Sequence, residues 1–90
     1  MNEMRQITVC QMRPGQSGTV VQILEGRGYH RGRGYGRGFV DRLHSLGIRP
    51  GVRITKVSAM FMRGPVTLQV GRAQVAIGFG MARKILVEVE

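Results

Sequence analysis

The stretch FVDRLHSLGIRPG, Phe39 to Gly51, decides the fold. Phe39, Leu43 and Leu46 recur at i, i+4 and i+7, so they share one face of a short helix. Asp41 falls in its first turn, where the helix dipole favours an anion. Gly47 follows the last periodic residue, where helices commonly end in a left-handed conformation. Ile48 is placed to fold back onto the helix's last apolar residues. Pro50-Gly51 then forces a turn before the apolar run that starts at Val52.

Outward from this helix the chain reads as short strands and tight turns. Ahead of it, Met1–Gln6 is expected to fray and Ile7–Val9 to form a short strand. Met12–Gly18 is turn chemistry, and Thr19–Leu24 is a β-branched strand. Behind it, Val52–Met60 is a strand whose alternation slips between Ile54 and Val57, the mark of a bulge. Val66, Leu68 and Val70 alternate with polar residues, a half-buried antiparallel pattern. Gly71-Arg72 signals a two-residue hairpin. Ala73, Val75, Ile77 and Phe79 share one face of the return strand. Gly80–Arg83 is long enough for one helical turn, and Ile85, Val87 and Val89 line the last strand. The expected architecture is a single mainly-β domain over residues 1–90, a closed or nearly closed small barrel with one short helix in a connection.

Gly26–Gly38, GRGYHRGRGYGRG, differs in kind. Ordering its backbone costs on the order of 1–2 kcal/mol per residue, with little apolar surface to offset it. It reads as a flexible insertion, whose closure costs the fold roughly 2 kcal/mol. Arg27, Arg31, Arg33 and Arg37 are candidate contacts to an anionic partner, and Tyr29 and Tyr35 are candidate stacking or packing residues. The readings are a solvated linker, contact with an acidic protein face or anionic lipid, or phosphate contacts with base stacking on RNA or DNA. Met60-Phe61-Met62 is the second candidate partner surface. Three consecutive large apolar residues cannot all point inward from a strand. The exposed ones would anchor a partner helix or a second copy; the alternative is local packing on the helix.

A net charge of +9 over 90 residues favours an acidic partner. With 6% aromatic residues and no Trp, the core must be built from Val, Ile, Leu and Met. A lone cysteine, Cys10, excludes an intrachain disulfide framework. No secretory leader or bilayer-length apolar run is visible, so a cytoplasmic protein is expected. Catalysis is not indicated, since no nucleophile–base set is visible and the glycine-rich stretch lacks the GK[ST] ending of a phosphate loop. His30, His44 and Cys10 lack the paired spacing of a metal site. No intrachain metal site and no required cofactor are therefore expected, with His30 and His44 as the candidates for weak or adventitious divalent transition metal.

The pieces TVCQMRPGQSGTVVQI, RLHSLGIRPGVRI, GPVTLQV and VAIGFGMARKILVE, in this order, resemble the FeoA family. These are small cytoplasmic partners of the bacterial ferrous-iron transporter FeoB. The central piece is the most specific, and Leu43, Leu46, Gly47, Pro50 and Gly51 are its signature positions. The resemblance implies an SH3-like barrel of five to six strands with a short helix in one connection, a fold also found in the C-terminal domain of DtxR-type iron-dependent repressors. It implies a non-enzymatic adaptor of ferrous-iron transport that contacts FeoB at the inner membrane's cytoplasmic face. The Gly26–Gly38 insertion departs from the family pattern. The alternatives are a nucleic-acid-binding module using the Arg/Tyr/Gly stretch and a transition-metal sensor. Self-association is a further option.

Overall fold

The computed structural model describes residues 4–24, 37–59 and 64–90. Six strands form one antiparallel sheet: β1 (Arg5–Thr8), β2 (Ser17–Ile23), β3 (Arg53–Ala59), β4 (Val66–Val70), β5 (Ala73–Ile77) and β6 (Ile85–Val89). Their spatial order is β1-β6-β2-β3-β4-β5. Helix α1 (Arg37–Ser45) precedes β3, and the one-turn α2 (Phe79–Ala82) links β5 to β6. A 3-10 turn, Val9–Gln11, follows β1.

The α1 terminus shows how local sequence sets local structure. Gly47 takes φ +91°. Its N–H donates to the His44 carbonyl at 2.9 Å, and the Ile48 N–H reaches back to the Leu43 carbonyl at 2.9 Å. This is the paired closure of a Schellman ending. It turns Ile48 into the core, where Leu43 and Ile48 are both fully buried. Leu46 is half-buried against them. The Phe39 side chain lies outside the described residues.

Two Arg-Pro-Gly turns frame the centre of the sheet. In each, Pro followed by Gly at positive φ suits a type II turn: Gly15 has φ +91° and Gly51 φ +95°. The Gly15 N–H donates to the Lys56 carbonyl of β3 at 2.7 Å, and the Gly51 N–H donates to the Val20 carbonyl of β2 at 2.8 Å. Lys56 N–H answers to Gln16 and Val20 N–H to Val52, both at 2.9 Å. The β2–β3 ladder is thus gripped at each end by the turn that leads into the opposite strand.

Alternation delivers the core. Val20, Ile54, Leu68, Ile77, Ile85, Val87 and Val89 point inward from their strands. No aromatic side chain belongs to the buried cluster among the described residues. Val57 is the extra residue where the β3–β4 register shifts, and it is consequently exposed. Gly18 permits the close approach of β2 to β6: a Cβ there would stand 2.8 Å from Val89 Cγ1 and 3.0 Å from the Glu88 carbonyl.

Three sequence expectations need correction. Arg5 and Gln6 are not frayed, because they pair with Val89 and Glu88 of β6. Val9 leaves the strand for the 3-10 turn, in which the Gln11 side chain accepts from the Thr8 N–H at 2.8 Å. Phe79 does not extend β5, since the strand stops at Ile77 and Phe79 opens α2.

Candidate functional surface

The sequence-predicted partner residues do not assemble into one described site. Arg27, Tyr29, His30, Arg31, Arg33 and Tyr35, and Met60, Phe61 and Met62, lie outside the described residues. Arg37 begins α1, and its side chain also lies outside them. His44 is half-buried on α1. Its carbonyl accepts from Gly47 and, at 3.4 Å, from Arg49 Nη2. Among the described residues, no three His, Cys, Asp or Glu side chains come together in a metal-holding arrangement.

The described surface is basic and polar. Arg5, Arg13, Arg42, Arg49, Arg53, Arg72 and Arg83 are all exposed. Strand register sets Gln6, Glu88, Thr19 and Arg53 in one row across β1, β6, β2 and β3. In the next row Ser17 and Thr55 hydroxyls meet at 2.6 Å, and Gln74 donates to Gln69 at 3.2 Å. Over these rows lies a shallow cleft of 160 Å³, lined by Gln16, Ser17, Thr19, Arg53 and Glu88 among others. Its lining includes the Arg53 guanidinium and the Glu88 carboxylate and no nucleophile–base pair.

Sequence reading missed the most strongly placed polar group, Lys56. It is 4% exposed. Its ammonium donates to the carbonyls of Met12 at 2.7 Å, Val9 at 3.1 Å and Cys10 at 3.4 Å. The Val9 carbonyl already accepts from the Met12 N–H at 3.1 Å, whereas the carbonyls beyond it, at the end of the 3-10 segment, are left without intrasegment donors, and Lys56 supplies them. Burial pushes the Lys56 ammonium below its ordinary pKa, with Cys10 opposing the shift. Burial pushes the Cys10 thiol up, while the Lys56 and Arg83 charges pull it back. Cys10 Sγ lies 3.8 Å from the Phe79 carbonyl, to which it donates. The signal for Lys56 was its place two residues after the inward-facing Ile54, ahead of the bulge.

These features belong to a barrel whose sequence profile is known. The FeoA domain profile matches residues 7–89. The chain belongs to the FeoA family. Among solved structures it is similar to an iron uptake regulatory protein (FeoA), with 31% identity, a TM-score of 0.77, and coverage of 94% of this chain and 100% of that one. FeoA from Stenotrophomonas maltophilia, complexed with zinc, matches at 20% identity and TM-score 0.69, covering 90% of this chain and 88% of that one. That protein is described as a prokaryotic SH3 domain protein and considered as a ferrous iron transport activating factor. IdeR of T. acidophilum shares the fold at 18% identity and TM-score 0.74, over all of this chain (100%) and 37% of its own. Among curated protein sequences, none matches. The SH3-like architecture expected from the sequence is the one found. Among the described residues, no helix is long and apolar enough to cross a membrane.

Proposed function

We propose that this FeoA-family chain is a non-enzymatic cytoplasmic adaptor that modulates ferrous-iron transport by binding the cytoplasmic region of FeoB. The observation that carries this reading is the family match over residues 7–89. The likeness to an iron uptake regulatory protein over its full length supports it. The net charge of +9 suits an acidic partner face. The Arg-rich stretch Gly26–Gly38 supplies long-range attraction, and the barrel together with Met60–Met62 supplies shaped contact. Any effect on the transporter requires that the adaptor bind one of its conformations more tightly.

The test is binding of the full chain, and of a Gly26–Gly38 deletion, to the soluble cytoplasmic region of the cognate FeoB at two salt concentrations. Binding that the deletion weakens chiefly at low salt supports the adaptor with a steering arm. Equal binding by both assigns recognition to the barrel. Absence of binding by both overturns the proposal, and the same proteins then go to single-stranded RNA. Four phosphate contacts there would lower affinity roughly 50-fold between 50 and 200 mM salt.

A further inference from the structure

The sheet order leaves β1 and β5 as its two edges among the described residues. An edge strand presents alternate N–H and C=O groups outward, and sheets normally shield them with charge, proline, bulges or brevity. The β1 edge is shielded in this way. It has four residues, carries Arg5, and gives way to a 3-10 turn. The β5 edge is built differently. Ala73–Ile77, AQVAI, contains no charge, proline or glycine. Its ladder to β4 holds one register from Val66↔Ile77 to Val70↔Ala73, whereas β2–β6 and β3–β4 both shift. Ala73, Gln74 and Ala76 are exposed and neutral, and Val75 is half-buried. The Gln74 side chain is drawn back over the sheet by its bond to Gln69.

Charge selects the occupant. From Gly64 to Ala82 the only charged side chain is Arg72, immediately before β5, and Arg83 and Lys84 follow. Arg72 and Arg83 are exposed. A second copy would bring a like charge of +9 against this edge. An acidic segment would instead be attracted to it. We infer that β5 is a strand-addition site for an extended, net-acidic peptide segment of a partner protein. Main-chain hydrogen bonds to the outward groups of Ala73–Ile77 give the affinity, and a carboxylate of the added strand meets Arg72. The inference shares with the adaptor reading only the acidity of the partner; it requires neither the Gly26–Gly38 stretch nor FeoB itself.

The experiment uses the full chain, isotope-labelled, and a terminally blocked octapeptide of alternating valine and glutamate. Controls are the lysine counterpart and the glutamate peptide N-methylated at alternate amides. With peptide tenfold above its binding midpoint, outward amides within Ala73–Ile77 should exchange with solvent roughly tenfold more slowly. Neither control should do this. Ala76→Glu should weaken binding and Ala76→Lys should keep it, both at an exposed position that the fold tolerates. Three results would overturn the inference: outward β5 amides already protected without peptide, protection that grows with protein concentration alone, or peptide-induced changes mapping elsewhere. The peptide carries no transporter sequence, so its failure leaves the FeoB reading standing, and failure of FeoB binding leaves the peptide result standing.

Discussion

Lys56 Nζ stands 2.7 Å from the carbonyl oxygen of Met12, linking the middle of β3 to the end of the 3-10 turn. The ammonium is buried, so its hydrogen bonds are made without competition from bulk water. The link ties a segment of marginal intrinsic stability to the centre of the sheet.

Replacing Lys56 by Met keeps the stem's volume and removes the donor. The Cys10 and Met12 carbonyls then lose their Lys56 partner, so a loss of roughly 1–3 kcal/mol is expected at neutral pH. Urea unfolding of the native chain and K56M measures it. A smaller loss would mean that the relief from burying a charge offsets the lost bonds.

The pH dependence of that difference has a definite sign. The folded pKa of Lys56 lies below its unfolded value. Between the two values the unfolded chain therefore binds more protons, and stability rises with pH. The Lys56 contribution should grow as pH rises through the folded value and level off near the unfolded value of about 10.4. The native chain should show this alkaline gain relative to K56M. Parallel stability curves for the two proteins would refute it.

Cys10 should react slowly with iodoacetamide at neutral pH, with a midpoint above the roughly 8.5 of a free thiol, because its burial disfavours the thiolate. Lys56 lowers that midpoint through its charge. In folded K56M the midpoint should therefore move further up. An unchanged profile would show that the two groups do not sense one another.

Gly18→Ala tests the approach of β2 to β6. The new methyl would meet a β-branched side chain and a backbone carbonyl, neither able to swing away. A destabilisation of about 1–3 kcal/mol is expected. Gly78→Ala is the control, since no atom lies within 4 Å of a Cβ there and φ is −72°. Equal thermal shifts for the two variants would contradict this account.

Much of the fold was legible because its signals are local. The Leu43–Leu46 spacing, Gly47, Pro50-Gly51 and the alternation in β4 and β6 each dictate a conformation within a few residues. The slip after Ile54 correctly foretold the bulge at Val57. The errors lie where a distant partner decides. Arg5 and Gln6 become strand because β6 offers them a ladder. Phe79 leaves the strand pattern for α2, packed near the 3-10 turn, despite an alternation that suited β5. For the candidate surface, composition announced a basic protein but not which edge of the sheet would lack shielding. That depends on strand order, which no local pattern encodes. Lysine in a strand usually means solvent, and only the carbonyls beyond Val9 make an inward ammonium at Lys56 favourable.

The two Arg-Pro-Gly grips also bear on how fast the barrel forms. Each joins a turn to a strand far away in the chain, with Gly15 held by Lys56 and Gly51 by Val20. Such non-local closures must be reached by diffusion of the chain before they are rewarded, which places this topology among slower folders. The Gly26–Gly38 stretch falls inside the Gly15–Lys56 closure. Its length enters the entropic cost only logarithmically. The barrel can therefore accept a longer or shorter insert there with little change in folding rate, while a side chain at Gly15 or Gly51 would strain the grip on which the closure depends.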